Sequence, residues 1–198
     1  MQATESLRDA IGRPDNWKVI HGSILDDDLL RSLTGVDVLY SWGVLHHTGD
    51  MWRAIRNASG LVAPGGVFCI AIYNRVSGRF LDSERWLRIK RTYNHRGRAV
   101  QIAMETLYAG YWAVAEVVRR RRSPFKAARE YKANRGMAVT TDLVDWLGGY
   151  PYEFATAEEL TRFCEDECGL RLRKLVEVGP RDLGNHELVF EKPHAAST

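Results

Sequence analysis

The sequence predicts an α/β fold of parallel strands, with a helical cap inserted after the third strand and an antiparallel hairpin at the end. Three observations predict it. Short β-prone runs at residues 17–21 (WKVIH), 36–42 (VDVLYSW) and 67–73 (VFCIAIY) alternate with helical stretches, an order that gives parallel pairing through crossovers. Helix-patterned sequence over 76–150 then interrupts the alternation. Finally, runs at 170–178 and 187–191 flank the turn-rich GPRDLGN. The whole, 1–198, reads as one domain with 76–150 as a lid within it.

Each element has a local reason. The first ten residues read as the tail of a helix. Residues 26–33 form a short helix with acids in its first turn. The nearly all-apolar runs at 36–42 and 67–73 suit a sheet covered on both faces. Residues 50–62 form an amphipathic helix with Asp50 as N-cap and Met51, Ala54, Ile55, Ala58 and Leu61 as its apolar stripe. Pro64-Gly65-Gly66 is expected to stop it. Within the insert, helices are expected at 80–93, 98–120, 125–134 and 141–146. Thr156 caps a helix through Cys168, with Glu158 and Glu159 in its first turn and Gly169 as the stop. Residues 194–198 read as a frayed tail.

Composition narrows the function classes. The chain has 198 residues, 45% apolar and 27% charged, which places it with globular proteins rather than disordered ones. Its net charge of +3 hides an uneven distribution: residues 75–135 carry 16 Lys/Arg and 5 Asp/Glu, and the other residues 12 and 20. Three cysteines cannot make a disulfide framework, and no Cys-x-x-Cys pattern exists, so reduced thiols in a cytoplasmic protein are expected. The start has no signal-peptide pattern, and the apolar stretch at 106–115 is half the roughly 20 residues a bilayer span needs.

The run DVLYSWGVLHH, a helix, then L-x-APGG and a strand ending AIYN resembles the fourth strand, following helix and fifth strand of class I S-adenosylmethionine-dependent methyltransferases. The closing helix and hairpin are similar to that family's ending. The likeness covers 17–73 and 156–191, and the insert only loosely. It implies an incomplete Rossmann-like methyltransferase sheet. The family's opening strand, Gly-rich loop and ribose-binding acid have no counterpart here, so the chain reads as starting about two strands late, as a fragment or late-started gene product. Without those strands, either the segments around Val19 and Val38 close up or an unpaired edge stays exposed to aggregation or another chain.

In open α/β sheets ligands sit beyond the carboxyl ends of the strands. Here those ends are Gly22-Ser23-Ile24, Ser41-Trp42-Gly43 and Tyr73-Asn74. By resemblance, Ser23 and Ile24 meet the adenine of S-adenosylmethionine, and Ser41, Trp42 and Gly43 pass its methionine part and sulfonium. Trp42 is either a ring facing that cation, worth about 0.5–2 kcal/mol, or a core tryptophan under the next helix. His46 and His47 follow the strand, and one of them is expected to take a proton from the methyl acceptor, since a histidine titrates near pH 6.5. The alternative makes one a turn cap and the other solvated, because neighbouring residues point apart. Tyr73 stands where an acceptor approaches or merely ends the sheet, with Asn74 opening a turn. Tyr150, Tyr152 and Glu153 either close over the substrate or form a packed aromatic corner. No metal site is expected: Asp26, Asp27 and Asp28 read as a charged helix start, and Cys164 and Cys168 as a buried and a half-buried thiol.

The basic insert has two readings. Residues 119–122 (RRRR) with Arg85, Arg88, Lys90, Arg91, Arg96 and Arg98, interleaved with Trp86, Tyr93, Tyr108, Tyr111 and Trp112, fit an anionic partner such as nucleic acid or a membrane surface. Yet Ile102, Ala103, Leu107, Tyr111, Val114, Val117 and Val118 fall at helical spacing and are expected to be a packed face under a solvated lid. The resemblance implies methyl transfer to a small or lipophilic acceptor, with activity of this chain alone in doubt. The alternative is a catalytically dead module that binds anionic partners through the insert. Self-association through the sheet edge is a third expectation.

Overall fold

The computed structural model describes residues 2–33, 35–78 and 82–194, without the side chains of Gln2, Arg119 and Arg135. Met1, Phe80, residues 195–198 and the Arg119 side chain, all used in the sequence reading, lie outside the described residues. The elements run α1 (Gln2–Ala10), α2 (Asp27–Arg31), β1 (Val36–Trp42), a 3-10 turn (Leu45–His47), α3 (Met51–Gly60), β2 (Val62–Tyr73), α4 (Ser83–His95), α5 (Arg98–Arg120), α6 (Pro124–Arg135), α7 (Val139–Gly148), α8 (Ala157–Arg162), a π turn (Phe163–Glu167), β3 (Arg171–Val176) and β4 (Asn185–Glu191). The four strands form one sheet in the order β1-β2-β4-β3. β1 and β2 are parallel; β4 is antiparallel to both β2 and β3. This is the α/β architecture the sequence predicts.

The caps read in the sequence form as hydrogen bonds. Asp50 accepts the Arg53 N–H at 3.3 Å and starts α3, whose stripe of Met51, Ala54, Ile55 and Ala58 is buried. Thr156 and Glu159 exchange side-chain-to-backbone bonds of 3.1 and 2.8 Å, a capping box that starts α8. Asp26 caps α2 by accepting from the Asp28 and Leu29 N–H groups.

The strand register sorts the side chains onto two faces. Leu39 and Ser41 of β1 share a face with Phe68 and Ile70 of β2 and with Leu188 and Phe190 of β4. On that face α3 and α8 pack, and Ile55, Phe68, Ile70, Ile72, Leu160, Cys164, Leu188 and Phe190 join one buried core. Each such side chain contributes about 1.5–3 kcal/mol through burial. The opposite face starts from Val38, Tyr40 and Trp42 on β1, which are 64%, 66% and 42% exposed. Tyr40 and Trp42 stack on each other there, with centroids 5.5 Å apart. A second core lies inside the insert, where Trp86 and Tyr93 of α4 meet Leu143 and Leu147 of α7 and the loop residue Tyr152.

Three expectations are corrected. Residues 17–21 form no strand and their side chains are largely exposed. A β conformation needs a ladder partner to satisfy its backbone, and the one neighbour that β1 has in the sheet is β2, so the edge of β1 stays unpaired among the described residues. Pro64-Gly65-Gly66 does not stop α3: the helix ends at Gly60, and the triplet lies inside β2, where the register jumps from Val36↔Val62 to Val38↔Val67. There Gly66 is needed because a Cβ would sit 2.8 Å from the Ala63 carbonyl oxygen and 2.9 Å from that of Asp37. Finally, the α5 positions expected to be a packed face are exposed, Leu107 by 74% and Val118 by 70%. The inner side of that helix carries Met104, Tyr108 and Ala109 instead.

Ile55→Ala is expected to cost about 2–5 kcal/mol of unfolding free energy, as a cavity in a packed core does. Val38→Thr, on the uncovered face, is expected to stay within about 0.5 kcal/mol of the parent. Urea titrations of the two variants check the assignment of covered and open faces.

Candidate functional site

Tyr73 ends β2 and is the hub of the site. Its ring centroid lies 3.9 Å from that of His46, 5.4 Å from His47, 5.7 Å from Trp146 and 5.2 Å from Tyr152. The two histidines therefore do not point apart. The 3-10 turn at Leu45–His47 folds both rings back toward the β2 tip, 4.5 Å from each other.

Hydrogen bonding gives the two rings opposite tautomers. The Tyr73 backbone N–H donates to His46 Nδ1 at 3.2 Å, so that nitrogen is unprotonated and the hydrogen sits on Nε2. His46 is fully buried, its Nε2 finds no partner among the described residues, and burial pushes its pKa down to about 3, with His47 and Lys90 adding to the shift. It is a neutral structural ring. His47 Nδ1 faces the Pro151 carbonyl at 2.6 Å, and a carbonyl can only accept, so Nδ1 carries the hydrogen. His47 Nε2 is left with the lone pair. Burial lowers the His47 pKa, the Pro151 carbonyl raises it and Lys90 lowers it, with a net fall, so the ring is uncharged and basic at Nε2 at neutral pH.

A cavity of about 720 Å³ opens beside this cluster. His47 and Tyr73 line it from the sheet side, Tyr108 and Trp112 from α5, Tyr131 from α6, and Asp142, Leu143, Asp145 and Trp146 from α7. Leu183, Gly184 and Asn185 close it at the start of β4. The Tyr131 hydroxyl donates to Asp142. Among the described residues no lysine or arginine side chain lines it. The volume falls in the range of small-molecule sites, and the lining is mainly aromatic with a few polar groups. Two of those, Trp146 Nε1 and Asn185 Oδ1, are buried without a partner among the described residues.

Lys90 braces the site from behind. It is fully buried, its Nζ donates to the Trp146 carbonyl and lies 3.9 Å from the Trp146 ring centroid and 4.9 Å from that of Tyr152. Burial pushes its pKa down to about 7. The sequence groups Lys90 with the basic residues that fit an anionic partner, whereas here it is buried. Its spacing with Trp86 and Tyr93 was the available signal, since positions four and three apart share a helix face.

The other candidates divide. Ser41 and Trp42 pair with Ile70 and Ala71 at the carboxyl end of β1, and the Gly43 N–H donates to the Ala71 carbonyl at 3.1 Å. Trp42 is not a core tryptophan under the next helix; it is partly exposed beside Tyr40. Ser23 and Ile24 are engaged locally and with α3: Ser23 Oγ accepts the Leu25 N–H, and the Ile24 carbonyl accepts from Asn57 of α3. Asn74 is structural, donating to the Gly179 and Asp182 carbonyls. Tyr152 and Glu153 form a packed corner: Tyr152 is buried, and Glu153 accepts the Gly49 and Met51 N–H groups at the start of α3, while Tyr150 is exposed with its ring against His95. Among the described residues no group of three His, Cys, Asp or Glu stands together as a metal site.

No protein-family model and no curated protein matches the chain. Solved structures do. The chain is similar to an O-methyltransferase family protein from Burkholderia thailandensis, at 12% identity and a TM-score of 0.50, over 99% of this chain and 41% of that one. Two weaker matches are an O-methyltransferase family 2 protein from Planctomyces limnophilus (11% identity, TM-score 0.46, 96% of this chain and 39% of that one) and a putative sarcosine dimethylglycine methyltransferase from Galdieria sulphuraria (15%, 0.44, 98% and 65%). The first likeness is one of fold: the chain has a methyltransferase-type fold and spans about two-fifths of the length of the structure that displays it.

The buried neutral histidines make stability fall with acid. His46 titrates near 6.5 when unfolded and about 3 when folded, so the unfolded state binds more protons between those values. Stability is fully present above pH 6.5 and falls by up to about 1.4 kcal/mol per pH unit for each such ring as pH drops below it. Urea unfolding between pH 6.5 and 5 is expected to show this slope, and His46→Phe to reduce it by about one proton. An unchanged slope in the variant contradicts the assignment.

Proposed function

We propose that this chain is the acceptor-binding part of an S-adenosylmethionine-dependent methyltransferase, and that the cavity beside His47 and Tyr73 takes a small aromatic or lipophilic methyl acceptor. One observation carries the reading: an aromatic cavity lies at the carboxyl end of β2, with a histidine on its wall whose Nδ1 is tied to a carbonyl and whose Nε2 is basic. The methyltransferase-type fold supports it.

The residues available to the cofactor fit one side of it. Trp42 and Tyr40 offer an open aromatic face that attracts a sulfonium, and a Cβ at Gly43 would meet nothing within 4 Å, so there is room beside it. Acids for the ribose hydroxyls are wanting. Residues 38–49 contain none, and Asp26, Asp27 and Asp28 are engaged as the α2 cap and with Arg53 and Arg31. When bound, the group supplies an activated methyl. The work of this chain is to hold and prepare the acceptor: Tyr73, Tyr108, Trp112 and Trp146 enclose its apolar body, and His47 Nε2 takes the proton its hydroxyl or amine gives up.

Two measurements test this. Uncharged phenols and anilines are expected to change the emission of Trp112 and Trp146 saturably, with Trp146→Leu removing most of the response. No saturable change with any of them sinks the acceptor reading. Calorimetric titration with S-adenosylmethionine is expected to give a dissociation constant of about 1 mM or weaker, since one wall supplies only a few kcal/mol. Micromolar binding overturns the one-wall description of the cofactor side.

A further inference from the structure

α5 is apolar on two sides. Its inner side lines the cavity through Tyr108 and Trp112. Its outer side presents Leu107, Tyr111, Val114 and Val118 to solvent along a helix of 23 residues, about 35 Å long. Phe125, just past its end, is 81% exposed. The charged side chains of the helix are kept off this strip. Glu116 is buried and bonded to Arg120, and Glu105 accepts from Tyr93 and Arg98. Basic residues stand at both ends: Arg96 and Arg98 at the start, Arg120, Arg121, Arg122 and Lys126 at the finish, all exposed, with Arg122 and Lys126 sharing the exposed Glu130.

We propose that the outer side of α5 docks on an anionic membrane surface, lying in the interface with its basic ends on acidic headgroups. The charge distribution picks this occupant. A second copy packed across a two-fold axis brings basic ends against basic ends, with no exposed acid on the strip to offset them. Nucleic acid would engage the arginines and leave a long apolar strip in water. An acidic bilayer satisfies both features, because apolar side chains enter the headgroup boundary while cations meet lipid phosphates. No helix among the described residues is long and apolar enough to cross a membrane, so α5 lies on the surface rather than spanning it. This docking is independent of the methyl-transfer reading.

Co-sedimentation of the chain with phosphatidylcholine vesicles containing 30% phosphatidylglycerol, against pure phosphatidylcholine, tests it (about a third acidic lipid gives a strong surface field). Binding is expected to the acidic vesicles and to fall with added salt. The double variant Leu107→Asp, Val114→Asp is expected to lose at least tenfold in partitioning with an unchanged circular dichroism spectrum. So is the triple variant Arg120→Ala, Arg121→Ala, Arg122→Ala. Equal or absent binding to the two vesicle types overturns the proposal. So does acidic-vesicle binding that the Leu107/Val114 variant retains, which makes it purely electrostatic. Light scattering that shows a dimer converted to monomer by that variant, without vesicle binding, gives the face to a second copy and equally ends it.

Discussion

The central position of β2 is the constraint on which the structure depends. It has hydrogen-bonded neighbours on both sides, parallel β1 and antiparallel β4, and so joins the parallel pair to the closing hairpin. Phe68, Ile70 and Ile72 sit at 0% exposure beneath α3 and α8. A strand held on both edges and packed on its inner face has no freedom to slide, because a one-residue slip would turn every core side chain outward. That rigidity reaches the tip. The Tyr73 N–H is still within the strand and spends its hydrogen on His46 Nδ1. The tautomer of a buried imidazole, and through it the stacking of two histidines and a tyrosine, is therefore set by a strand register.

The insert packs on this tip by aromatic contact, and the chain leaving it is tied to the strand end by backbone hydrogen bonds of Ala155 with Tyr73 and Arg75. Tyr73 touches Trp146 and Tyr152, Trp146 touches Trp86, and Lys90 lies over Trp146 and Tyr152. A lysine inside such a cluster is costly, and burial answers by lowering its pKa. What it returns is position: its ammonium or amine reaches the Trp146 carbonyl, near the end of α7, and fixes the ring that walls the cavity. Gly149 is needed beside it, since a Cβ there would come within 3.1 Å of His47 Cε1 and 3.5 Å of Lys90 Nζ.

Much of this was legible in the sequence where local chemistry decides structure. The Asp50 and Thr156 caps, the α3 stripe, the α5 limits and the closing hairpin all follow from neighbours within a few residues. What failed depended on distant partners. Residues 17–21 have strand composition, yet composition cannot supply a ladder partner. The valines and leucine of α5 have core spacing, yet spacing says only that they share a side, not that anything covers it. The histidine pair was misjudged because successive residues point apart in a strand but not in a 3-10 turn. Of the site, Tyr73 and the histidines were visible as residues at strand ends. Trp146, Asp142, Tyr131 and Asn185 were not, because they arrive from α6, α7 and β4 and meet only in three dimensions.

α5 has different work on its two sides. Its inner side walls the aromatic cavity through Tyr108 and Trp112, and its outer side presents Leu107, Tyr111, Val114 and Val118 to solvent between basic ends. A neutral, apolar molecule finds aromatic surface on the inner wall. On the proposed reading these are the two properties wanted of an enzyme that works on a lipophilic acceptor at an acidic bilayer: the surface holds the headgroups, and the cavity takes the apolar acceptor. The same helix performs both tasks because its apolar residues run around most of its circumference while Glu105 and Glu116 are held by Tyr93, Arg98 and Arg120. A helix apolar on nearly all sides is stable only when both sides are covered, and the structure covers one.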